Sequence, residues 1–443
     1  MKLILRLLVS LGLATAASAS TDPRLTSWYT VDSGQYARIY RTDADKAAGR
    51  TATTWSNGRQ VQARPAFSGI QQILVSSNWI YIRSSGLGSQ VMGPWYLDPQ
   101  HRRIFPNLPT DQHLILCLPR RPVVQKNHDF QPLGEVGMTV DGVRIFDAND
   151  AFSYSNGNGR DADPRAGIGQ GDHIWLRDAY VNEGITFDAG QGHQQNWGRY
   201  HYHAEAIALR YELGDHVDFD ATTKTYHESA GAPVKHSPIL GWMHDGYPLY
   251  GPYGYANATN ADSGIRRMVS GFVLRDGRNG SDDLTQTGRR SVPAWDAREQ
   301  AQPVALEPNE TGPAVSARYP LGHYLQDYAY LGDLGKTQGQ DFDLDEFNGR
   351  WCVTPEFPHG TYAYFTTIDA AGKPVYPYAM GRAYRGYPSG QLMRAINEPV
   401  TTYFTAAPAN AGKPAETSAN TGSQTTTLLW SAKDSGNYEV QTR

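Results

Sequence analysis

Two histidines one residue apart, His201 and His203, alternate with Tyr200 and Tyr202 in the stretch GRYHYHAEAI. In a β-strand successive side chains face opposite sides, so the two imidazoles would share one face and the two tyrosine rings the other. Neutral imidazole is a good ligand for copper, zinc, iron and nickel. The spacing therefore predicts that His201 and His203 hold a divalent transition metal ion from a single strand.

A metal site needs at least one further donor, and the surrounding sequence offers several. Eight of the 13 histidines lie between His173 and His244, in a segment whose glycines and prolines bend the backbone. The third nitrogen is expected from His193, His236 or His244. Asp188 is a candidate carboxylate ligand. Because no cysteine lies in this segment, a closed thiolate zinc site is disfavoured, and copper or zinc bound by nitrogen and oxygen is predicted.

Other side chains are candidates for orienting the metal ligands or for touching a substrate. A carboxylate that accepts the second ring N–H of a ligand histidine fixes the tautomer of that histidine. A tyrosine offers an apolar ring together with a hydroxyl group that needs a partner when it is buried. The residues expected in these roles are Asp245, Tyr200, Tyr202, Tyr247 and Tyr250.

The elements that position these residues can be predicted from composition and from short apolar runs. The chain of 443 residues contains 45 glycines, 27 prolines and 27 tyrosines, which favours turns and short strands over long helices. HLILCLP at 113–119 has the length of a buried strand, and MTVDGVRIF at 138–146 has the Asp-Gly step of a hairpin. We expect a mainly β fold, with α+β as the alternative, forming a sandwich-like or compact multi-strand domain with long turn-rich loops.

The charge balance excludes one class of partner. The formal net charge is -4 and the sequence pI is about 6.4. Lysine and arginine never form a run longer than two residues. Nucleic acid and anionic membrane surfaces are therefore not expected as partners, which leaves an unknown small molecule or glycan.

The N-terminal residues 1–19, MKLILRLLVSLGLATAASA, combine two basic residues, a short apolar run and a small-residue ending. This pattern is typical of a secretory signal peptide, and it predicts export to the periplasm or to the outside of the cell. No later stretch approaches the roughly 18 to 20 apolar residues that a membrane-spanning helix requires. No membrane span is therefore expected.

Three separated blocks carry a family resemblance: YHYH at 200–203, HSPILGWMHDGYPLYGPYGY at 236–255 and LDEFNGRWCVTPEFPHGTYAYF at 344–365. In this order they resemble the YHYH-domain family of exported proteins. The resemblance extends from about residue 72 to about residue 390. It implies an exported protein and supplies no reaction, so the chemistry has to come from the residues themselves.

The chain is predicted to consist of four parts. The signal peptide at 1–19 is followed by a polar segment at 20–71 and by the YHYH domain at 72–390. Within that domain, residues about 257–316 are polar and rich in Asn, Asp, Arg and Gly, and we interpret them as an insertion. Residues 391–443 form a linker rich in Pro, Ser and Thr, with a short strand near LLWSA.

Two other functions are compatible with the same residues. YPLYGPYGY at 247–255 could present aromatic rings to a sugar, as in a carbohydrate-binding protein. A metal-independent hydrolase would use His201 or His203 as a general base, although no GxSxG motif supplies a nucleophile. The sequence leaves open whether any reaction occurs, and whether Cys117 and Cys352 form a disulfide.

Two short stretches of the sequence resemble each other. GRYHYH at 198–203 and GTYAYF at 360–365 share a glycine and two tyrosines at the same spacing, but the second has alanine and phenylalanine in place of the histidines. We expect two related strands that pair with each other, of which only the first carries metal ligands.

Overall fold

The computed structural model describes residues 22–126, 128, 133–163 and 167–406, and strands dominate them. The mainly β fold predicted from the sequence is therefore confirmed. The strands are β1 (Arg38–Ile39), β2 (Trp55–Ser56), β3 (Val61–Gln62), β4 (Ile70–Val75), β5 (Trp79–Ser84), β6 (Val91–Met92), β7 (Leu114–Pro119), β8 (Glu135–Thr139), β9 (Arg144–Phe146), β10 (Asn149–Ser155), β11 (Arg160–Asp161), β12 (Leu176–Asp178), β13 (Gly192–Gln195), β14 (Arg199–Tyr202), β15 (Val217–Asp220), β16 (Thr225–Glu228), β17 (Ile239–Met243), β18 (Pro248–Tyr250), β19 (Tyr253–Asn257), β20 (Asn260–Arg267), β21 (Phe272–Leu274), β22 (Tyr328–Tyr330), β23 (Gly349–Cys352), β24 (Thr361–Phe365), β25 (Gln391–Leu392) and β26 (Thr401–Thr405). The α-helices are α1 (Pro23–Thr26), α2 (Asp43–Ala48), α3 (Ala179–Glu183), α4 (Ile207–Glu212), α5 (Leu284–Thr287) and α6 (Ala294–Glu299).

Two sheets make up most of the fold. An eight-stranded mixed sheet has the order β13-β14-β9-β8-β17-β18-β24-β23, and a five-stranded antiparallel sheet has the order β25-β7-β5-β4-β26. Ile82 and Leu116 of the smaller sheet belong to the same hydrophobic cluster as Met138 and Trp242 of the larger one. The polar N-terminal segment contributes Trp28 to this cluster. Both sheets are thus packed around one core, as in a compact multi-strand domain.

The hairpin of β8 and β9 has the Asp-Gly turn predicted from its sequence. The two strands pair antiparallel, and Gly142 in the turn has a positive φ of 92°. A Cβ atom on Gly142 would lie 2.4 Å from Cβ of Ser84, so the close approach of β5 also requires glycine. The hydroxyl of Ser84 donates to the carbonyl oxygen of Gly142 at 2.7 Å, which ties the smaller sheet to the larger one.

The larger sheet has a two-fold pseudosymmetry about its centre. There β8 and β17 pair antiparallel, with Met138 opposite Trp242. Each strand continues through an Asp-Gly turn, β8 into β9 and β17 into β18. β9 and β18 pair parallel with β14 and β24, which in turn pair antiparallel with the edge strands β13 and β23. The second half of the sheet therefore repeats the arrangement of the first.

The register of the outer strands repeats as well. Gly192 of β13 lies opposite Tyr202 of β14, as Gly349 of β23 lies opposite Tyr364 of β24. The two similar stretches of the sequence thus form equivalent strands, β14 and β24. The expectation that β14 and β24 pair with each other is wrong, because each pairs within its own half and β9, β8, β17 and β18 lie between them.

An aspartate closes the loop before each edge strand in the same way. Oδ1 of Asp188 accepts the N–H of the first residue of β13 at 3.1 Å, and Oδ1 of Asp345 accepts that of the first residue of β23 at 3.2 Å. Each carboxylate also accepts a tyrosine hydroxyl, from Tyr200 at 2.9 Å and from Tyr362 at 2.7 Å. The shared tyrosines therefore form a structural frame in both halves.

Several predicted parts of the chain fall wholly or partly outside the described residues. The signal peptide at 1–19 does, as do most of the linker and the strand expected near LLWSA. The described portion of 391–443 contains β25 and β26, which are the edge strands of the five-stranded sheet. The segment 257–316 contains β20, β21, α5 and α6.

Cys117 lies on β7 and Cys352 lies on β23, and both are buried and free, so the disulfide that the sequence left open is not formed. Each side chain belongs to a hydrophobic cluster and fills the core as a small apolar residue. Among the described residues, no helix combines the length and the apolar character needed to cross a membrane.

Candidate metal centre

The hairpin of β13 and β14 brings three histidines together. His193 lies directly opposite His201 in the antiparallel register, so both side chains point to the same face of the sheet. His203 follows His201 by two residues and points to that face as well. All three are buried, with exposed fractions of 3%, 2% and 3% in this order.

The ring nitrogens of the three histidines converge. Nε2 of His201 lies 3.1 Å from Nε2 of His193 and 3.1 Å from Nε2 of His203. The three candidate ligand atoms all lie within 4.8 Å of one another. Within the described ranges, no other three histidine, cysteine, aspartate or glutamate side chains form such a group.

The second nitrogen of each ring is held by an oxygen atom. Nδ1 of His201 donates to the carbonyl oxygen of Arg199 at 2.8 Å, and Nδ1 of His203 donates to that of Asp147 at 2.7 Å. A carbonyl oxygen can only accept, so each of these Nδ1 atoms carries a proton. In a neutral imidazole the Nε2 atom is then an acceptor with a free lone pair.

The same tautomer follows for His193 from a chain of two hydrogen bonds. Oγ1 of Thr186 donates to the carbonyl oxygen of Glu183 at 2.7 Å, and it lies 2.7 Å from Nδ1 of His193. With its proton already used, this hydroxyl accepts from Nδ1–H. Each of the three imidazoles, when it is neutral, therefore directs an unprotonated Nε2 towards the other two.

Glu183 adds a carboxylate to the three imidazoles. Its Oε2 atom lies 3.3 Å from Nε2 of His203 and 3.6 Å from Nε2 of His193. Burial by itself would raise the pKa of the Glu183 carboxyl, but the hydrogen bond to His203 and the electrostatic interactions with its neighbours hold it below its ordinary value. The side chain is 29% exposed, which makes it the member of the group nearest to solvent.

Glu183 is positioned by α3, whose first turn is firmly capped. Oδ1 of Asp178 accepts the N–H of Val181 at 3.1 Å, and the hydroxyl of Tyr378 donates to Oδ2 of Asp178 at 2.7 Å. Burial raises the pKa of Asp178 to about 7. These contacts anchor the start of α3, and Glu183 is the last residue of this helix.

Aromatic rings enclose the imidazoles. Phe146 stacks on His201 with ring centroids 4.0 Å apart, and Phe187 meets His193 edge-on at 4.7 Å. Burial lowers the pKa of His193 to about 3 and lowers the pKa of His201 well below its ordinary value. Both rings are therefore neutral near pH 7, which is the form that binds metal ions.

Asp188, the predicted carboxylate ligand, does not join this group. Its carboxylate accepts the hydroxyl of Tyr200 and three backbone N–H groups, from Gly93, Gly190 and Gly192. Tyr200 alternates with the histidines along β14, so the Asp188 carboxylate that binds it lies on the opposite face of the hairpin. The carboxylate beside the imidazoles comes instead from Glu183.

His236 and His244, the other predicted nitrogen donors, flank β17 in the second half of the sheet. His236 packs against Tyr250 with ring centroids 4.9 Å apart, and His244 lies 6.4 Å from the ring of Tyr384. Neither belongs to the group of three. The reason is topological, because β8, β9 and β14 separate β17 from the edge strand that carries His193.

The tyrosines and the aspartate that were expected to orient the ligands have structural partners. The amide of Gln90 donates to the hydroxyl oxygens of Tyr200 at 3.1 Å and Tyr202 at 2.9 Å. Oδ2 of Asp245 accepts the hydroxyl of Tyr364 at 2.7 Å in the second half of the sheet. These hydrogen bonds stabilise the two halves of the sheet, and none of them is made to an imidazole.

Tyr247 and Tyr250, expected to touch a substrate, are 5% and 0% exposed. The hydroxyl of Tyr250 donates to Oε2 of Glu356 at 2.8 Å, and its ring packs against Phe365 at 5.7 Å between centroids. Rings enclosed in this way cannot form the surface platform on which a sugar would stack.

Sequence reasoning missed Glu183, Thr186 and the two phenylalanines around the site. Glu183 precedes His193 by the same ten residues that separate His193 from His203. That regular spacing is the one signal in the sequence, and it does not distinguish Glu183 from Asp188. Which of the two carboxylates lies beside the imidazoles depends on the face of the hairpin that each one occupies.

The equivalent positions in the second half of the sheet hold different residues. Arg350 lies opposite Ala363 there, in the place of the first imidazole pair, and Phe365 takes the place of the third imidazole. The guanidinium of Arg350 lies 5.5 Å above the ring of Phe365 and donates to the carbonyl oxygen of Tyr255 at 2.6 Å. The three imidazoles are therefore particular to the first half.

The matched family region covers the strands that carry the histidine group. Residues 116–376, more than half of the chain, match the model of the family described as YHYH protein. These residues include all eight strands of the larger sheet and the histidine group. No curated protein and no solved structure matches the chain. The chain belongs to the YHYH protein family.

Proposed function

We propose that the protein binds one divalent transition metal ion, copper or zinc, through the Nε2 atoms of His193, His201 and His203. Glu183 would supply an oxygen as the fourth ligand. Such a set of three nitrogens and one oxygen suits a four-coordinate ion.

The observation that supports this proposal most strongly is the convergence of three Nε2 atoms, each of which is unprotonated when its ring is neutral. Two lone pairs that face each other at 3.1 Å repel unless a cation lies between them. A tetrahedral ion with metal–nitrogen distances of about 2.0–2.1 Å keeps its ligand atoms about 3.3 Å apart. The two separations of 3.1 Å are close to that value, and all three candidate ligand atoms lie within 4.8 Å of one another.

A proton is the competing cation, and it satisfies the geometry less well. The hydrogen bond to Glu183 raises the pKa of His203 although burial opposes it, so His203 is the imidazole most able to hold an extra proton. One proton on Nε2 of His203 bridges a single contact, either to Glu183 or to His201. The contact between His193 and His201 then remains without a bridge, whereas one metal ion serves all three nitrogens.

We further propose that the protein is exported, because residues 1–19 have the pattern of a signal peptide. The metal would then be acquired in the periplasm or outside the cell. Since Glu183 is the partly exposed ligand, a small molecule that reached the metal would displace this carboxylate first.

Elemental analysis of the full chain tests the proposal directly. The protein is purified without an affinity tag, since a histidine tag would itself carry metal. We expect about one equivalent of copper or zinc per chain, and a loss of that metal in His201→Ala. His244→Ala, which changes a buried histidine outside the group, should keep its metal. A chain that contains no metal, and takes up none on addition of either ion, contradicts the proposal.

A further inference from the structure

A cleft of about 560 Å³ opens beside the second half of the larger sheet. It lies between the residues after α4, the loop before β17, the hairpin of β19 and β20, and the loop after β23. Its lining includes Lys235, His236, Tyr255, Asp262 and Glu356. The volume is in the range of pockets that hold small molecules.

His236 is one of the residues that line this cleft, and one of its ring nitrogens is a buried acceptor. The side chain is 7% exposed, and Nδ1 donates to the carbonyl oxygen of Ser237 at 2.7 Å. The Nε2 atom is therefore an acceptor, and it is buried without a hydrogen-bond partner among the described residues. A buried polar atom without a partner costs free energy, and a ligand that donates a hydrogen bond would recover it.

His236 connects the cleft with the place that corresponds, by the pseudosymmetry, to the metal centre. His236 packs against Tyr250 and Phe365, with centroid distances of 4.9 and 5.8 Å. These two rings are the equivalents of Phe146 and His203 in the first half. The duplicated frame thus supports a polar site on the same face in each half.

The positive charges around the second site disfavour the binding of a cation. Arg350 already places a positive charge over Phe365, at 5.5 Å from the ring centroid. Lys235 adds another positive charge at the cleft. Burial lowers the pKa of His236 to about 4, so its ring is a neutral acceptor near pH 7.

The remaining groups favour a ligand that carries several hydroxyl groups. Glu356 and Asp262 offer carboxylate oxygens, which accept hydrogen bonds, and Tyr255 offers part of an aromatic ring. We propose that this cleft binds a small neutral polyhydroxylated molecule of the mono- or disaccharide class. A turn of the His236 ring towards the cleft uncovers Nε2 for one hydroxyl, a second hydroxyl donates to Glu356, and the apolar face of the sugar ring packs on Tyr255.

Isothermal titration calorimetry of the full chain, first stripped of metal by a chelator, tests this proposal with D-glucose and cellobiose as probes. We expect saturable binding of at least one of the two. His236→Phe keeps an aromatic ring but removes Nε2, and it should weaken the binding by about tenfold or more. His244→Phe is the matched control, because His244 also has a buried Nε2 without a partner among the residues that the structure describes, but it does not line the cleft.

Glu356→Gln provides a second test if His236→Phe does not fold, since it retains the shape of the side chain and should also weaken the binding. Three results would overturn the proposal. These are no binding of either sugar, equal affinities in His236→Phe and His244→Phe, and binding of tetramethylammonium in place of the sugars. Because the protein is free of metal, failure here is distinguishable from failure of the metal proposal.

Discussion

His193 lies opposite His201 across the β13–β14 hairpin, with their Nε2 atoms 3.1 Å apart. This cross-strand pair and His203, which lies on the same face, together form the candidate metal site. The tyrosines of the motif lie on the opposite face, where Tyr200 donates to Asp188 and Tyr202 accepts from Gln90. The residues of the motif therefore have two roles. The tyrosines stabilise the hairpin, and the histidines converge on its other face.

The two carboxylates near the hairpin are predicted to respond differently to loss of charge. Glu183→Gln should weaken metal binding by about tenfold or more, because the carboxylate beside Nε2 of His203 is lost. Asp188→Asn should leave the metal affinity within a few-fold and lower the free energy of unfolding by about 1–3 kcal/mol. Competition with a chromogenic chelator and urea denaturation measure the two quantities. A loss of metal affinity in Asp188→Asn but not in Glu183→Gln would instead identify Asp188 as the ligand.

Removing the acceptor of a ligand histidine should weaken metal binding without removing a ligand. Thr186→Val leaves Nδ1–H of His193 without its oxygen partner, and we expect about a 10- to 100-fold loss of affinity. Thr186→Ser retains a hydroxyl and should restore most of the affinity. Equal affinities for the valine and serine variants would show that the tautomer of His193 does not matter.

Metal removal should lower the thermal stability of the folded protein. A ligand that binds only the native state adds about 4 kcal/mol when its concentration is about 1,000 times Kd. We therefore expect a chelator to lower Tm by several degrees, as measured by differential scanning calorimetry. The metal-free His201→Ala variant should show no change with the chelator. A chelator effect of equal size in that variant would place the bound metal elsewhere.

His244 should contribute to loss of stability in acid. Burial lowers its pKa to about 4 in the folded protein, whereas the unfolded chain takes up this proton at about pH 6.5. The free energy of unfolding therefore falls as the pH decreases through that window. We expect His244→Phe to remove about 3 kcal/mol of the loss between pH 7 and pH 4, as measured by urea denaturation of metal-free protein. Parallel pH profiles for the two proteins would contradict this expectation.

The pseudosymmetry predicts matched effects in the two halves of the sheet. Tyr200→Phe and Tyr362→Phe each remove a hydroxyl that donates to the aspartate closing the adjacent loop. Each should lower the free energy of unfolding by about 1–3 kcal/mol, and Tyr362→Phe should leave the metal content unchanged. Loss of metal in Tyr362→Phe would show that the second half supports the site in a way that its contacts do not explain.

Local rules were enough to predict the strand faces and the hairpin turn. Alternation along a strand places His201 and His203 together, and the Asp-Gly step at 141–142 forms the turn between β8 and β9. The sequence also named His193, but as one of three candidates for the third nitrogen. The register of β13 against β14 selects it, and this register depends on the Asp188 loop and the short connection at Asn196–Gly198.

The rest of the site depends on contacts between residues distant in sequence. Glu183 approaches the imidazoles because Tyr378, 200 residues from Asp178, supports the cap of α3. Asp147 reaches His203 through its carbonyl oxygen, which no side-chain pattern reveals. The pairing of each motif strand within its own half, rather than with its equivalent, is likewise set by the order of the whole sheet.

Anomalous diffraction from crystals of the untagged protein, recorded at the copper and zinc absorption edges, tests the central claim most directly. We predict one strong peak within about 2.2 Å of the Nε2 atoms of His193, His201 and His203, with Glu183 as the next nearest ligand. Crystals grown with added copper or zinc that show no peak at these three nitrogens would contradict the account.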